Sequence, residues 1–473
     1  HRYGEMTRIT AGSDDPGSVY QRLDERLKTT AVRAVPGPLS ADGRRVPFHV
    51  ALDLSGLGTY EYDSTLELGE SRDRWRVVFR SATVHPMLRN GQRLDRESQP
   101  APRGTLLDRT GRPLRAASAD LAANVLGRPP SKADPVGTGL ERLLDARLTG
   151  STGGALLIRD VVTGNQVQQL KVFPGRAADS VRTTLDLRVQ AAAERALAGA
   201  PARAALVAID APTGEIRAIA NNPVTGVTAA FASYAPGSVF KIVTATAALQ
   251  AGSSPSTQLD CPASTSSGGR TFRNDENEAY GRIPLSTAFA LSCNTAFLEL
   301  AEGLPAGALQ RTARLFGFAR PDLLPIRAEG GEVPEPASAA EAAADAIGQG
   351  PVEASPLLVA SMSAAVATGT WRQPHLLPGG AVASNPVPAA ATLRTLMRGV
   401  VTRGTGRAAD LPGVPVSGKT GTAQFGSGDP LPVHTWFTGF RGDLAFCVFV
   451  ERGVSGGKTS APIARRFLTA ATG

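Results

Sequence analysis

Apolar and polar positions alternate in three runs near the start of the chain, Pro47–Leu54, Thr59–Leu68 and Trp75–Phe79, separated by Gly, Asp and Ser turns. A period of two predicts strands, and short turns between them predict an antiparallel sheet. Ahead of them Leu23 and Leu27, four apart, mark a helix within Val19–Thr30 that covers one side of that sheet. The pattern weakens from Pro86 to about Ser180, where Arg, Gly and Pro are frequent and Leu140–Leu148 is the one amphipathic segment. It then strengthens. A helix running through Leu197 precedes a buried strand, Ala204–Asp210, and a turn leads to a second strand, Ile216–Ala220. Further on come a helical run Leu285–Leu291, strands Trp436–Phe440 and Leu444–Val450, a Gly loop and a helix Ala461–Ala471. The Ala-rich stretch Glu335–Ala346 reads as loop and helix, not as a repeat. The chain is therefore expected to be multidomain α+β, divided at 1–88, 89–182 and 183–473, with the largest unit an antiparallel sheet flanked by helices.

Composition narrows the function by exclusion. The 473 residues are 42% hydrophobic and 19% charged, enough for a sizeable core. Fifty basic residues against 42 acidic give +8, but the excess is spread along the chain without a like-charge block, so no nucleic-acid partner is expected. Cys261, Cys293 and Cys447 are distant and odd in number, with no metal-ligand spacing, and a disulfide framework is excluded on that count. Five histidines never cluster, which leaves neither a metal hydrolase nor a Ser-His-Asp triad a source; His434, alone near a motif, reads as structural. No metal or cofactor is expected. No apolar run reaches membrane-spanning length. Because the chain opens on His1 and not on Met, in what reads as the middle of an element, its beginning is expected to be missing, which leaves room for a signal or anchor ahead.

The chemistry begins at "YAPGSVFKIV", Tyr234–Val243. Pro-Gly signals a turn, and the apolar run behind it is long enough for a buried helix that Ser238 opens. Lys241 then lies on the same face one turn later. Two readings stand: an N-cap followed by a snorkelling cation, or a nucleophile with its proton acceptor. A second Ser-x-x-Lys, Ser455–Lys458, falls in a Gly-rich loop and is read as a decoy.

Two later stretches weigh for the chemical reading. "LSCNTAF" holds Ser292 and Asn294 after the Leu285–Leu291 helix, and "VSGKTGTAQ" holds Lys419, Thr420, Gly421 and Thr422 just before the last paired strands. A serine hydroxyl is a poor nucleophile, and without histidine a desolvated lysine can take its proton. Burial and the neighbouring Lys419 would lower the Lys241 pKa. Ser292 can relay a proton between a lysine and a leaving nitrogen, and the Asn294 amide can hold both Lys241 and a substrate carbonyl. Lys419, Thr420 and Thr422 would bind a carboxylate, Gly421 would let a substrate strand lie close, and the backbone N–H groups of Ser238 and Thr422 would form an oxyanion hole. Cys293, between two cleft-facing residues, is expected to be a buried free thiol.

This set resembles the penicillin-binding proteins and serine β-lactamases. "RGTLLDRTGRPL" (Arg103–Leu114), "GTGLE" (Gly137–Glu141), "TTLDLRVQ" (Thr183–Gln190), "AIGQG" (Ala346–Gly350) and "RGTGRAA" (Arg403–Ala409) resemble class B penicillin-binding proteins, so the likeness runs from about residue 75 to the end. The first unit is similar to the NTF2-like extension of low-affinity resistance types, with "RWRVVF" (Arg74–Phe79) leading into His85-Pro86. The stretch Val125–Gly137 is short for the class. The resemblance implies a pedestal domain at 89–182 and a transpeptidase domain after it. It also implies a peptidoglycan D,D-transpeptidase that cross-links stem peptides through a serine acyl-enzyme and is acylated by β-lactam antibiotics. A separate glycosyltransferase and an anchor on the extracytoplasmic face of the bacterial membrane are implied as well. Two rivals share the motifs: a D,D-carboxypeptidase or β-lactamase, and a non-catalytic sensor of β-lactams or wall fragments.

Overall fold

A computed structural model describes residues 3–11, 15–71, 74–224, 229–321, 323–326, 328, 330–428 and 430–471. The chain divides into two compact units, residues 1–105 with 146–180, and residues 106–145 with 181–473.

In the first unit, helix α1 (Pro16–Leu27) starts where Asp15 accepts from the Gly17 and Ser18 N–H groups and Pro16 supplies a first-turn φ. It ends at Lys28 in the left-handed region. Strands β1 (Thr29–Pro36), β2 (Arg45–Leu54), β3 (Gly58–Ser71) and β4 (Arg74–Val78) form an antiparallel meander, with Thr10–Ala11 pairing in parallel at its far edge. The alternation seen in the sequence becomes a face: Val50, Leu52, Leu54 and Tyr60 are buried beside Leu27 of α1. That core continues through Leu94, Leu156, Ile158 and Phe173 of a second sheet, made by Gln92–Gln99, Gly153–Asp160 and Gln166–Phe173.

The second unit is built on a five-stranded antiparallel sheet. Its order is Ile216–Asn222 (β6), Ala204–Asp210 (β5), Leu444–Val450 (β9), Val433–Arg441 (β8) and Val416–Gln424 (β7). Central strands β5 and β9 are apolar on both faces, as a doubly covered sheet requires. Leu187–Leu197 and Ala461–Ala471 cover one face and share a core with Leu206, Phe437, Phe446 and Val448. Pro356–Thr368 packs on the other face. One edge strand is closed by a side chain: Gln190 donates to the Ile219 carbonyl at 2.9 Å and accepts from its N–H at 2.8 Å. The other edge, β7, is left facing a cleft. It extends further than the sequence suggested, since Lys419-Thr420-Gly421 lies within a strand and not ahead of one.

Candidate active site

The cleft beside β7 has a volume of about 710 Å³ and is lined by Ser238, Ser292, Asn294, Thr420 and Thr422 among others. Ser238 lies in a 3₁₀ turn, Gly237–Phe240, that runs straight into the buried helix α2 (Lys241–Gln250). No cap bond uses the Ser238 side chain, and Lys241 is fully buried, so neither the N-cap nor the surface-cation reading survives. The turn is pinned from three sides. Gly237 takes φ +53° and donates to the Gly348 carbonyl at 2.8 Å, and a Cβ there would meet the Thr422 carbonyl at 2.4 Å. Trp436 Nε1 donates to the Ala235 carbonyl at 3.1 Å.

Helix α3 (Leu285–Leu291) ends at Ser292 in the left-handed region, φ +59°, and α4 (Asn294–Glu302) starts two residues later. A residue with a Cβ held there is uncommon and marks an over-determined position. Part of what holds it is Asn274, which the sequence reading missed. Its buried amide accepts from the Asn294 and Thr295 N–H groups and donates to the Pro262 and Glu278 carbonyls. An asparagine in a polar loop carries no sequence signal of that role.

A second brace on the same turn corrects two expectations. Cys293 is buried, yet it is not free: it is bonded to Cys261, whose Cα lies 6.3 Å away, within bridging range. An odd cysteine count guarantees one unpaired thiol; it does not forbid a pair. Strand Gln258–Cys261 packs against α4 and brings the two together, while Cys447 stays free and buried in β9.

The polar atoms converge on Ser292. Lys241 Nζ donates to the Ser292 carbonyl and to Asn294 Oδ1, each at 2.7 Å, and lies 3.3 Å from Ser292 Oγ. Lys419 Nζ, also fully buried, donates to Ser292 Oγ at 2.9 Å and to the Thr420 carbonyl at 3.1 Å. Phe297 and Phe289 stand 5.2 and 5.6 Å from the two amines. Burial, then the charge of Lys419, pushes the Lys241 pKa well below its usual value. Burial lowers Lys419 to about 7.

Gly421 lies in β7, but the space a side chain would fill there is occupied by the protein itself. A Cβ would come within 2.8 Å of the Pro236 carbonyl and 2.9 Å of Val239 Cγ1. The decoy Ser455–Lys458 also differs from expectation. It forms a helical turn, Gly456–Ser460, capped by Ser455, and lines the cleft. Lys458 reaches Glu276 at 2.7 Å on the opposite rim. His434 lies outside the cleft, stacked on Phe425 with centroids 3.8 Å apart and with Nδ1 2.8 Å from the Glu451 carbonyl. Among the described residues no group of three His, Cys, Asp or Glu could hold a metal, and no helix is long and apolar enough to cross a membrane.

Residues 204–469 match the penicillin-binding protein transpeptidase domain, and residues 39–92 match the NTF2-like N-terminal transpeptidase domain. The chain is 32% identical over 406 residues to the peptidoglycan D,D-transpeptidase PbpA of Mycolicibacterium smegmatis, covering 71% of this chain and 79% of that relative. Two solved structures share the fold. One comes from work on the structural coordination of polymerization and crosslinking by a peptidoglycan synthase complex, with TM-score 0.72, 25% identity and coverage of 81% of this chain and 92% of that one. The other is the D,D-transpeptidase domain of a peptidoglycan glycosyltransferase from Eggerthella lenta, with TM-score 0.65, 26% identity and coverage of 79% and 98%. Sequence, fold and relatives agree: the chain belongs to the penicillin-binding protein transpeptidases and is a peptidoglycan D,D-transpeptidase with an NTF2-like N-terminal domain.

Proposed function

We propose that Ser238 is the nucleophile, Lys241 its general base, and Ser292 the proton relay of this transpeptidase. The observation that carries the assignment is the position of Ser292 Oγ between two buried amines, 3.3 Å from Lys241 Nζ and 2.9 Å from Lys419 Nζ. A neutral Lys241 amine has two N–H donors, which satisfy the Ser292 carbonyl and Asn294 Oδ1, and one lone pair left to accept a proton. In acylation, Ser238 Oγ attacks the penultimate carbonyl of a donor stem peptide and its proton goes to Lys241. The backbone N–H groups of Ser238 and Thr422 stabilise the oxyanion. As the C–N bond breaks, the leaving D-alanine nitrogen takes the Ser292 hydroxyl proton, which the lysines replace. In the second half the acceptor amine attacks the ester, its proton leaves by the same relay, and Ser238 regains its hydrogen. Asn294 orients Lys241 and the substrate carbonyl, Lys419, Thr420 and Thr422 bind the terminal carboxylate, and Gly421 lets β7 close on the Ser238 turn, where a side chain would strike Pro236 and Val239.

β-Lactams acylate the same serine in this reading. The solved relative from a peptidoglycan synthase complex supports a separate glycosyltransferase as partner, and relatives that build the wall support an extracytoplasmic site of action behind a membrane anchor. Mass spectrometry after incubation with penicillin tests the core claim. One covalent adduct is expected on Ser238 and none on a folded Ser238→Ala chain; an adduct on Ser455 or another serine overturns it.

A further inference from the structure

The cleft edge of β7 presents two hydroxyls, and each has a hydrogen-bonding group behind it. The Gly456 N–H donates to Thr422 Oγ1 at 3.2 Å. A backbone N–H can only donate, so Thr422 accepts there and keeps its own hydrogen for another partner. Thr420 is matched by Thr405, whose Oγ1 lies 2.6 Å from Thr420 Oγ1. Thr405 lines the cleft, and its backbone ties it to the rest of the site. Its N–H donates to the Ala290 carbonyl at 3.1 Å, in the last turn of the helix that presents Ser292. It thus bridges the Ser292 turn and β7, two segments more than a hundred residues apart in the chain.

Between two hydroxyls either can donate, and the direction decides what faces the substrate. If Thr420 donated to Thr405, it would present lone pairs to the cleft, where an anion would be repelled. If Thr405 donates to Thr420, the Thr420 hydrogen is released to the cleft side. A hydroxyl that accepts from behind is also the better donor in front, because chained hydrogen bonds polarise one another. A carboxylate only accepts, so its binding selects the arrangement in which Thr420 donates to the cleft.

We propose that Thr405 is a positioning residue for the terminal carboxylate of the donor peptide. It sets the Thr420 hydroxyl so that Thr420 and Thr422 both donate into the cleft next to Lys419. The assignment deepens the carboxylate-binding role given above to β7 and rests on it.

The test compares Ser238 acylation by a penicillin and by its methyl ester, which lacks the anion, in the wild type, Thr405→Val and Thr405→Ser. Selectivity for the acid over the ester is expected to fall about three- to tenfold in Thr405→Val, the size of one uncharged hydrogen bond. The fall should lie in the binding constant more than in the acylation rate, and Thr405→Ser should restore it. Equal losses for acid and ester, unchanged selectivity, or a Ser variant as poor as Val overturns the inference alone. A wild-type chain that gives no adduct on Ser238 with either compound overturns the parent reading as well.

Discussion

Lys241 has three hydrogen-bonding neighbours and no carboxylate among them. Burial and then the Lys419 charge disfavour an ammonium there, against the weaker opposing pull of Asp275, so the Lys241 pKa is held well below its usual value. Acylation should therefore slow as pH falls through the lowered Lys241 pKa. It should slow again above about 7, where Lys419 loses the proton that attracts a carboxylate. Lys241→Arg cannot shed its charge and should acylate about 10²- to 10⁴-fold more slowly, the usual size of a general-base contribution. An arginine variant near the wild-type rate would remove the base assignment. A second buried titratable group, Asp345, does not line the cleft. Both its oxygens lack a partner, and burial, then the nearby Glu341 charge, raises its pKa from 3.8 to about 7. The unfolded chain gives up this proton at the ordinary value and the folded chain only near 7. Stability therefore declines as pH rises between those two values and stays reduced above them. Asp345→Asn should be more stabilising at about pH 8 than at about pH 5, by about 1–3 kcal/mol in denaturant unfolding; a variant effect independent of pH would refute this.

At the level of elements, the site is a junction of one 3₁₀ turn, one left-handed helix end and one edge strand. The Ser238 turn and β7 are in close contact. Gly421→Ala would drive a Cβ into the Pro236 carbonyl and Val239. Displacing the turn should cut acylation more than about tenfold while lowering stability by about 1–3 kcal/mol, as overpacking does. A folded variant with wild-type acylation, followed by adduct formation and circular dichroism, would show that the contact is slack. The elements themselves were legible in the chain. The period-two runs gave the N-terminal meander, helix spacing put Ser238 and Lys241 on one face, and Ser292, Asn294, Lys419 and Thr422 stood in motifs that resemble those of the penicillin-binding proteins. What spacing cannot encode is contact between segments distant in sequence. Asn274, Thr405 and Cys261 reach the Ser292 turn and the helix before it only in the folded chain. Ser455–Lys458 was misplaced for the same reason: a Gly-rich stretch hid a helical turn that reaches the cleft. Composition likewise gave no sign that residues 106–145 pack with the second unit.

For the whole molecule, the question is the fate of the acyl-enzyme. A hydrolase must hold a water against the ester with a base. Among the described residues lining the cleft, the carboxylates are Asp275, Glu276 and Glu278, all exposed, with Glu276 tied to Lys458. Glu341 accepts from the Ala337 N–H and Glu353 is exposed, and neither lines the cleft. The penicilloyl adduct should therefore persist for many minutes, and hydrolysis of a chromogenic cephalosporin at several turnovers per second would contradict a transpeptidase design. One bond gives that design a dependence beyond its own residues. The link between Cys261 and Cys293 spans 32 positions, a loop whose closure constrains the unfolded chain by about 3–4 kcal/mol in the entropic account. It adjoins both Ser292 and Asn294, so a chain carrying every motif residue but two free thiols would lack a brace on the Ser292 turn. Thiols pair and stay paired only where electrons can be passed on to an oxidant. The redox state in which this chain folds thereby bears on its active site as well as on its stability.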